Sequence, residues 1–122
     1  MTHTQTPPTA GFILSEANGK LSRDQAVFAP SATEILAGTV VAQLTTGEWV
    51  PYAPPDELGE GGEGDDEGAG IAKGVLFASL PASDTDQPGT VMTRLCEVSR
   101  PDLIGLDAAA EAALLGNVVI VR

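Results

Sequence analysis

Residues 36–50, LAGTVVAQLTTGEWV, constrain the fold more than any other stretch of the chain. Leu36, Val40, Ala42 and Leu44 fall on one side of an extended backbone, with Thr39 and Gln43 on the other, the period of two that marks a strand. Thr45-Thr46-Gly47 carries turn chemistry, and Glu48-Trp49-Val50 resumes a strand that Pro51 restricts. The pattern predicts two strands joined by a turn. Two strands alone do not hold together in water, so later segments must cover them. Trp49, the single tryptophan, is expected to seal one end of the resulting core.

A length of 122 residues fits one domain. Chains of this size bury roughly two-thirds of their unfolded surface. Aromatic residues are scarce (Phe12, Phe28, Trp49, Tyr52 and Phe77), so the core must rest on Val, Leu, Ile and Ala. Fourteen glycines and nine prolines predict many turns and at least one unstructured run. No apolar stretch approaches the ~20 residues of a membrane helix. The polar, proline-containing residues 1–10 do not read as a secretory signal. Cys96 is the one cysteine, so no disulfide closes within the chain.

The net charge is −11, but it is local. Seven of the seventeen acids lie in residues 56–67, which leaves ten acids against six bases, a net of −4, elsewhere. The bases Lys20, Arg23, Lys73, Arg94, Arg100 and Arg122 are scattered and form no patch of the kind that grips phosphates. Nucleic acid is therefore not an expected partner.

Residues 1–11 have no periodicity, and Pro7-Pro8 favours an unpaired extended backbone, so this segment reads as a mobile N-terminal arm. Phe12-Ile13-Leu14 is a short apolar strand with two open readings: a docking strand at the end of that arm, or an edge strand of its own domain. Asn18-Gly19 is a two-residue turn signal, after which residues 20–28 are expected to return antiparallel. Ala29-Pro30-Ser31 breaks the chain before the central pair. Residues 53–70, APPDELGEGGEGDDEGAG, combine like charges with six glycines and have nothing to bury, which predicts a solvated loop.

Residues 71–80, IAKGVLFASL, read as a strand with Val75 and Phe77 on one side and Leu76 and Ala78 on the other, covered on both faces either by its own fold or by a neighbouring subunit. Residues 81–89 read as a polar loop, and residues 90–98, TVMTRLCEV, as one long strand. Arg94 falls on its Met92 and Cys96 side and must be exposed or paired, for instance with an acid of another subunit. Residues 101–106 are a connector, with a helical turn starting at Pro101. Asp107 is a good N-cap for AAAEAALL and Gly116 a good stop, with Leu106, Ala110 and Leu114 on one face. Residues 117–122 close the chain as a strand.

Catalytic equipment is missing. The one histidine, His3, lies in the arm, so neither a nucleophile–His pair nor a His/Cys metal site can be assembled. No phosphate-binding glycine loop precedes either lysine. Lys73 sits inside an apolar strand pattern instead of the tight exposed turn that a carrier lysine needs. Gly61-Gly62-Glu63-Gly64-Asp65-Asp66 fits the start of a calcium-binding nonapeptide, but in one copy and with Gly68 where a large aliphatic residue belongs. A calcium-dependent β module is thus the alternative function; catalytic, metal and cofactor residues are expected to be none.

The order of segments resembles the phage head decoration proteins, the family typified by bacteriophage lambda's protein D. The resemblance is carried by GFILSEANGKLSRDQAVF (11–28), LAGTVVAQLTTGEWVPY (36–52), AGIAKGVLFASLPASDTDQPGTVMTRLCEV (69–98) and the closing LIGLDAAAEAALLGNVVIVR (103–122). It implies a mostly β, small β-clip or barrel-like domain over residues 12–122, one short C-terminal helix and a disordered N-terminal arm. It also implies a homotrimer on the outer surface of the expanded capsid at three-fold and quasi-three-fold sites. There it would bind the major capsid protein of a tailed phage and stabilise the head against DNA pressure. Localisation would be the virion, after assembly in the host bacterial cytoplasm. The family's capsid-binding arm maps onto residues 2–14, with Phe12, Ile13 and Leu14 as the strand that augments a capsid sheet. The acidic run 56–67 departs from the family pattern and is expected to face solvent.

Overall fold

The central hairpin forms where its alternation places it. In a computed structural model of the chain, which describes residues 11–16, 22–53 and 70–122, β3 (Val40–Gln43) and β4 (Trp49–Pro51) pair antiparallel, with Val41 opposite Pro51 and Gln43 opposite Trp49. The turn is held by the Gly47 N–H donating to the Leu44 carbonyl, and Gly47 takes φ +100°, which favours glycine. Residues 36–38 are a turn and not strand, so the first strand is shorter than its pattern.

Around this hairpin stand β2 (Arg23–Phe28), β5 (Gly74–Leu76) and β6 (Gln87–Met92), closing a five-stranded barrel in the order β2-β4-β3-β5-β6. β1 (Ile13–Glu16), β7 (Cys96–Val98) and β8 (Val119–Val121) form a second, three-stranded sheet in the order β1-β7-β8. A 3-10 turn, Arg100–Asp102, and α1 (Ala108–Gly116) link β7 to β8. The chain is thus mostly β, built on a barrel, with one short C-terminal helix among the described residues.

Adjacent residues on three strands feed two different cores. Val41, Leu76 and Val91 join Ala26, Phe28, Ile35 and Trp49 inside the barrel, a cluster to which all five barrel strands contribute. Their neighbours Val40, Val75 and Met92 face outward, onto Phe12, Cys96, Val98, Val119 and the helix residues Ala110 and Leu114. That is why β5 is apolar on both faces: each face meets a different layer. β5 approaches β6 so closely that a Cβ on Gly74 would lie 2.4 Å from Val91 Cγ1 and 2.7 Å from the Met92 carbonyl oxygen. Trp49, 5 % exposed, closes the barrel cluster.

The helix follows its local signals. The Asp107 side chain accepts the Ala110 N–H at 2.7 Å, and Ala110 and Leu114 are fully buried with Leu106 packed beside them. α1 ends on Gly116, but Val118, at φ +61°, is the left-handed residue that turns the chain into β8.

Four expectations are corrected. Residues 12–14 and 20–28 do not form a hairpin: β1 pairs with β7, whereas β2 pairs with β6 and β4. Residues 90–98 are not one strand, because Leu95 at φ +55° redirects the chain from the barrel to the second sheet between β6 and β7. The loop expected over 81–89 ends sooner, since β6 begins at Gln87 and Pro88 pairs with Val27. Within 71–80 only Gly74–Leu76 is strand, although Leu80 bridges Ile35. The Asn18-Gly19 turn, residues 1–10 of the expected arm and nearly all of the acidic loop lie outside the described residues.

Candidate interaction surfaces

β1 lies at the edge of the three-stranded sheet. Its inner side pairs with β7, Ile13 facing Val98 and Glu16 facing Cys96, and no strand among the described residues covers its outer side. Such an edge offers backbone N–H and C=O groups to an added strand. The three residues singled out at its root differ in what they present. Phe12 is 2 % exposed within the interlayer core, and its carbonyl accepts the Ser99 N–H at 2.7 Å. Ile13 packs partly against that core, whereas Leu14 is 56 % exposed, at a register shift between Ile13 and Ser15. Of these three side chains, Leu14 is the exposed one while β1 stays in place, beside the open backbone edge.

Polar contacts pin the C-terminal end of this strand. Ser15 Oγ donates to Glu97 Oε2 at 2.9 Å, and Glu97 also pairs with Arg122. Glu16 accepts from the fully buried Ser22 hydroxyl at 2.6 Å and from two nitrogens of Arg23 at 2.5 and 3.1 Å. The Arg23 guanidinium lies 4.2 Å from the Phe77 ring centroid, a cation–π contact that fixes it over the interlayer core. Glu16 therefore ties the edge strand to the first barrel strand.

These contacts set a pH dependence. The Arg23 hydrogen bonds, then that of Ser22, hold the Glu16 carboxyl below the usual carboxylate range. Arg94, then Thr93, does the same for Asp24, and Ser15, then Arg122, for Glu97. A carboxyl held lower in the folded state than in the unfolded one adds stability that is complete above its unfolded value and is lost as pH falls through its folded value. The urea midpoint is expected to be flat above about pH 5 and to fall increasingly below about pH 4. Glu16→Gln should flatten that acid limb, and an unchanged limb would show that the clasp does not contribute.

A second surface surrounds an open cleft of about 640 Å³ between barrel and helix, bordered by Asp24, Lys73, Arg94, Leu95 and Val118. Arg94 donates to Asp24 Oδ2 at 2.5 Å and Thr93 Oγ1 to the same oxygen at 2.9 Å, so an acid of this chain already meets Arg94. Lys73 Nζ donates to Gln43 Oε1 at 2.6 Å and sits 5.8 Å from the Trp49 ring centroid. Its backbone N–H donates to the Val41 carbonyl, which places it beside the sheet and away from a hairpin tip.

Leu95 and Val118 stand side by side in this cleft. Each precedes the first paired residue of parallel strands β7 and β8, Cys96 with Val119, and the Cys96 N–H donates to the Val118 carbonyl at 3.2 Å. Both have left-handed backbones, a conformation that costs an aliphatic residue about 1–3 kcal/mol. Sequence reading missed them because glycine or asparagine is the residue expected at such a turn.

No group described here is poised for catalysis. Cys96 is buried, and burial, then the Glu16 charge, raises its thiol to about 11, which keeps it a weak nucleophile. No cluster of metal-ligating side chains occurs among the described residues, and Gly61–Asp66 and His3 lie outside them.

A family model, bacteriophage lambda head decoration protein D, matches residues 2–117. The chain belongs to that family. Comparison with curated proteins gave no match. As a head decoration protein, the chain is a structural part of the phage capsid, located in the virion, and not an enzyme. The match extends from the segment before β1 through the whole of α1.

Proposed function

We propose that this decoration protein assembles as a homotrimer and cements the outer surface of the expanded head. It would bind at three-fold and quasi-three-fold points after assembly in the host cytoplasm. The observation that carries the reading is the family match over residues 2–117, and the open edge of β1 supplies the means. Residues 1–11 act as the arm and 12–122 as the decoration domain. The capsid contact falls to residues 2–14, with Leu14 and the β1 backbone edge taking or extending a strand of the major capsid protein. A trimer brings three such arms. Once one has docked, the others bind at high local concentration, so modest single contacts add up to durable attachment. Bridging neighbouring subunits buries surface at the junctions where pressure from packaged DNA pulls them apart. The net charge of −11 disfavours adhesion to that DNA.

The test is co-sedimentation with expanded and unexpanded heads, alongside analytical ultracentrifugation of the free protein at tens of micromolar. Saturable binding to expanded heads by a trimer is expected. A strict monomer that leaves expanded heads uncoated would remove the reading.

A further inference from the structure

Seven large aliphatic side chains are exposed among the described residues, and four of them gather at one place. Leu95 and Val118 border the cleft at 45 % and 47 % exposure. Leu115, 59 % exposed, adjoins them, its carbonyl accepting the Val118 N–H. Ile71, 68 % exposed, lies across Lys73 and Asn117, which the cleft shares with a neighbouring hollow. Scattered aliphatic residues on a surface need no explanation, but exposed aliphatic residues in and beside one cleft do.

Two observations identify what covers this group. The first is backbone conformation: at Leu95 and Val118 the chain holds aliphatic side chains where glycine or asparagine would sit without strain. Packing within the chain accounts for them only in part, because nearly half of each residue stays exposed. The second is charge. The cleft is bordered by Asp24, Lys73 and Arg94, a local balance of +1 in a chain whose total is −11. The carboxylates of a second, acidic copy are attracted to such a border and not repelled by it.

We propose that the Leu95–Val118 face, with Leu115 and Ile71 around it, is where one copy of this chain contacts the next. The assignment rests on the self-association put forward above and gives it a location. Leu95 and Val118 form the apolar centre, and Lys73 and the Asp24–Arg94 pair form the charged rim.

The test uses the full-length chain and the variants Leu95→Asn and Val118→Gly, with Leu115→Ser as a variant that leaves both left-handed residues untouched. Asn and Gly accept the left-handed backbone, so at a concentration low enough for every chain to be monomeric the first two should unfold at the same temperature as the parent or higher. Sedimentation over a concentration series should nonetheless show their association weakened about 30-fold or more, the scale of a central contact, and that of Leu115→Ser about tenfold. Stability and association moving apart is a result that a purely structural role does not produce. Trimers of unchanged affinity in all three variants would overturn the assignment and leave the trimer intact. Trimers that have lost capsid binding would reassign the face to the capsid. A parent protein that stays monomeric at every concentration would overturn both readings.

Discussion

Removing residues 1–11 is expected to leave the domain folded and abolish most capsid binding, whereas removing residues 1–14 is expected to damage the fold itself. The boundary lies at Phe12. Its ring is 2 % exposed and packs among Val98, Val119, Ala110 and Leu114, where the second sheet and helix meet the barrel. Truncating such a buried phenylalanine leaves a cavity and costs about 3–5 kcal/mol, a large fraction of the 5–15 kcal/mol that holds a typical domain together. Loss of β1 also strips β7 of a pairing strand and exposes Cys96, Glu16's partner in register. Phe12→Ala measured by urea denaturation separates the two roles. A midpoint drop corresponding to about 3 kcal/mol or more, with the 1–11 truncation near the parent, places Phe12 in the core and the docking function upstream and at Leu14. A Phe12→Ala protein as stable as the parent that no longer coats heads would instead make Phe12 a capsid contact.

The same residues show how far the sequence could be read. Local signals with a local cause were legible: the turn at Gly47, the Asp107 cap, the helix face of Ala110 and Leu114, and the apolar closing strand. The two-sided apolarity of β5 was legible too, and it predicted a layer on each face. What could not be read is which strand each edge meets. Period-two alternation gives the face of Ile13 or Ala26 but carries no information on whether the neighbour is β2 or β7. That choice depends on contacts such as Asp24 with Arg94, seventy residues apart. The break inside residues 90–98 was hidden for a related reason. Leu95 carries no turn signal, because its conformation is imposed by the need to cross from one sheet to the other, against its own preference. The candidate surfaces follow the same division. Phe12, Ile13 and Leu14 were visible as an apolar cluster beside a polar arm, while the Leu95–Val118 face exists only once two distant turns are brought together.

Asp107→Ala is expected to lower stability by about 2–4 kcal/mol, more than the loss of an ordinary helix cap. A lost Asp cap costs about 0.5–2 kcal/mol, and here the same carboxylate has a second task. Its two oxygens accept the Tyr52 hydroxyl, each at 3.0 Å, and Tyr52 is 7 % exposed at the end of β4. A hydrogen bond to a charged acceptor in such a setting adds about 1.5–3 kcal/mol. Asp107 thus fastens the helix to the barrel as well as starting it, and α1, at nine residues, is too short to persist on propensity alone. A double-mutant cycle with Tyr52→Phe resolves the two tasks. Tyr52→Phe alone should cost about 1–2 kcal/mol. In its presence Asp107→Ala should fall to the cost of a simple cap, so that the two changes couple by about 1 kcal/mol or more. Strict additivity would show that barrel and helix are held by the apolar contacts of Ala110 and Leu114 and owe nothing to this bond. Asp107→Asn discriminates further, since asparagine caps as well as aspartate but carries no charge. It should keep the helix and lose only the charge-assisted part of the Tyr52 bond, with a smaller fall in the urea midpoint than Asp107→Ala.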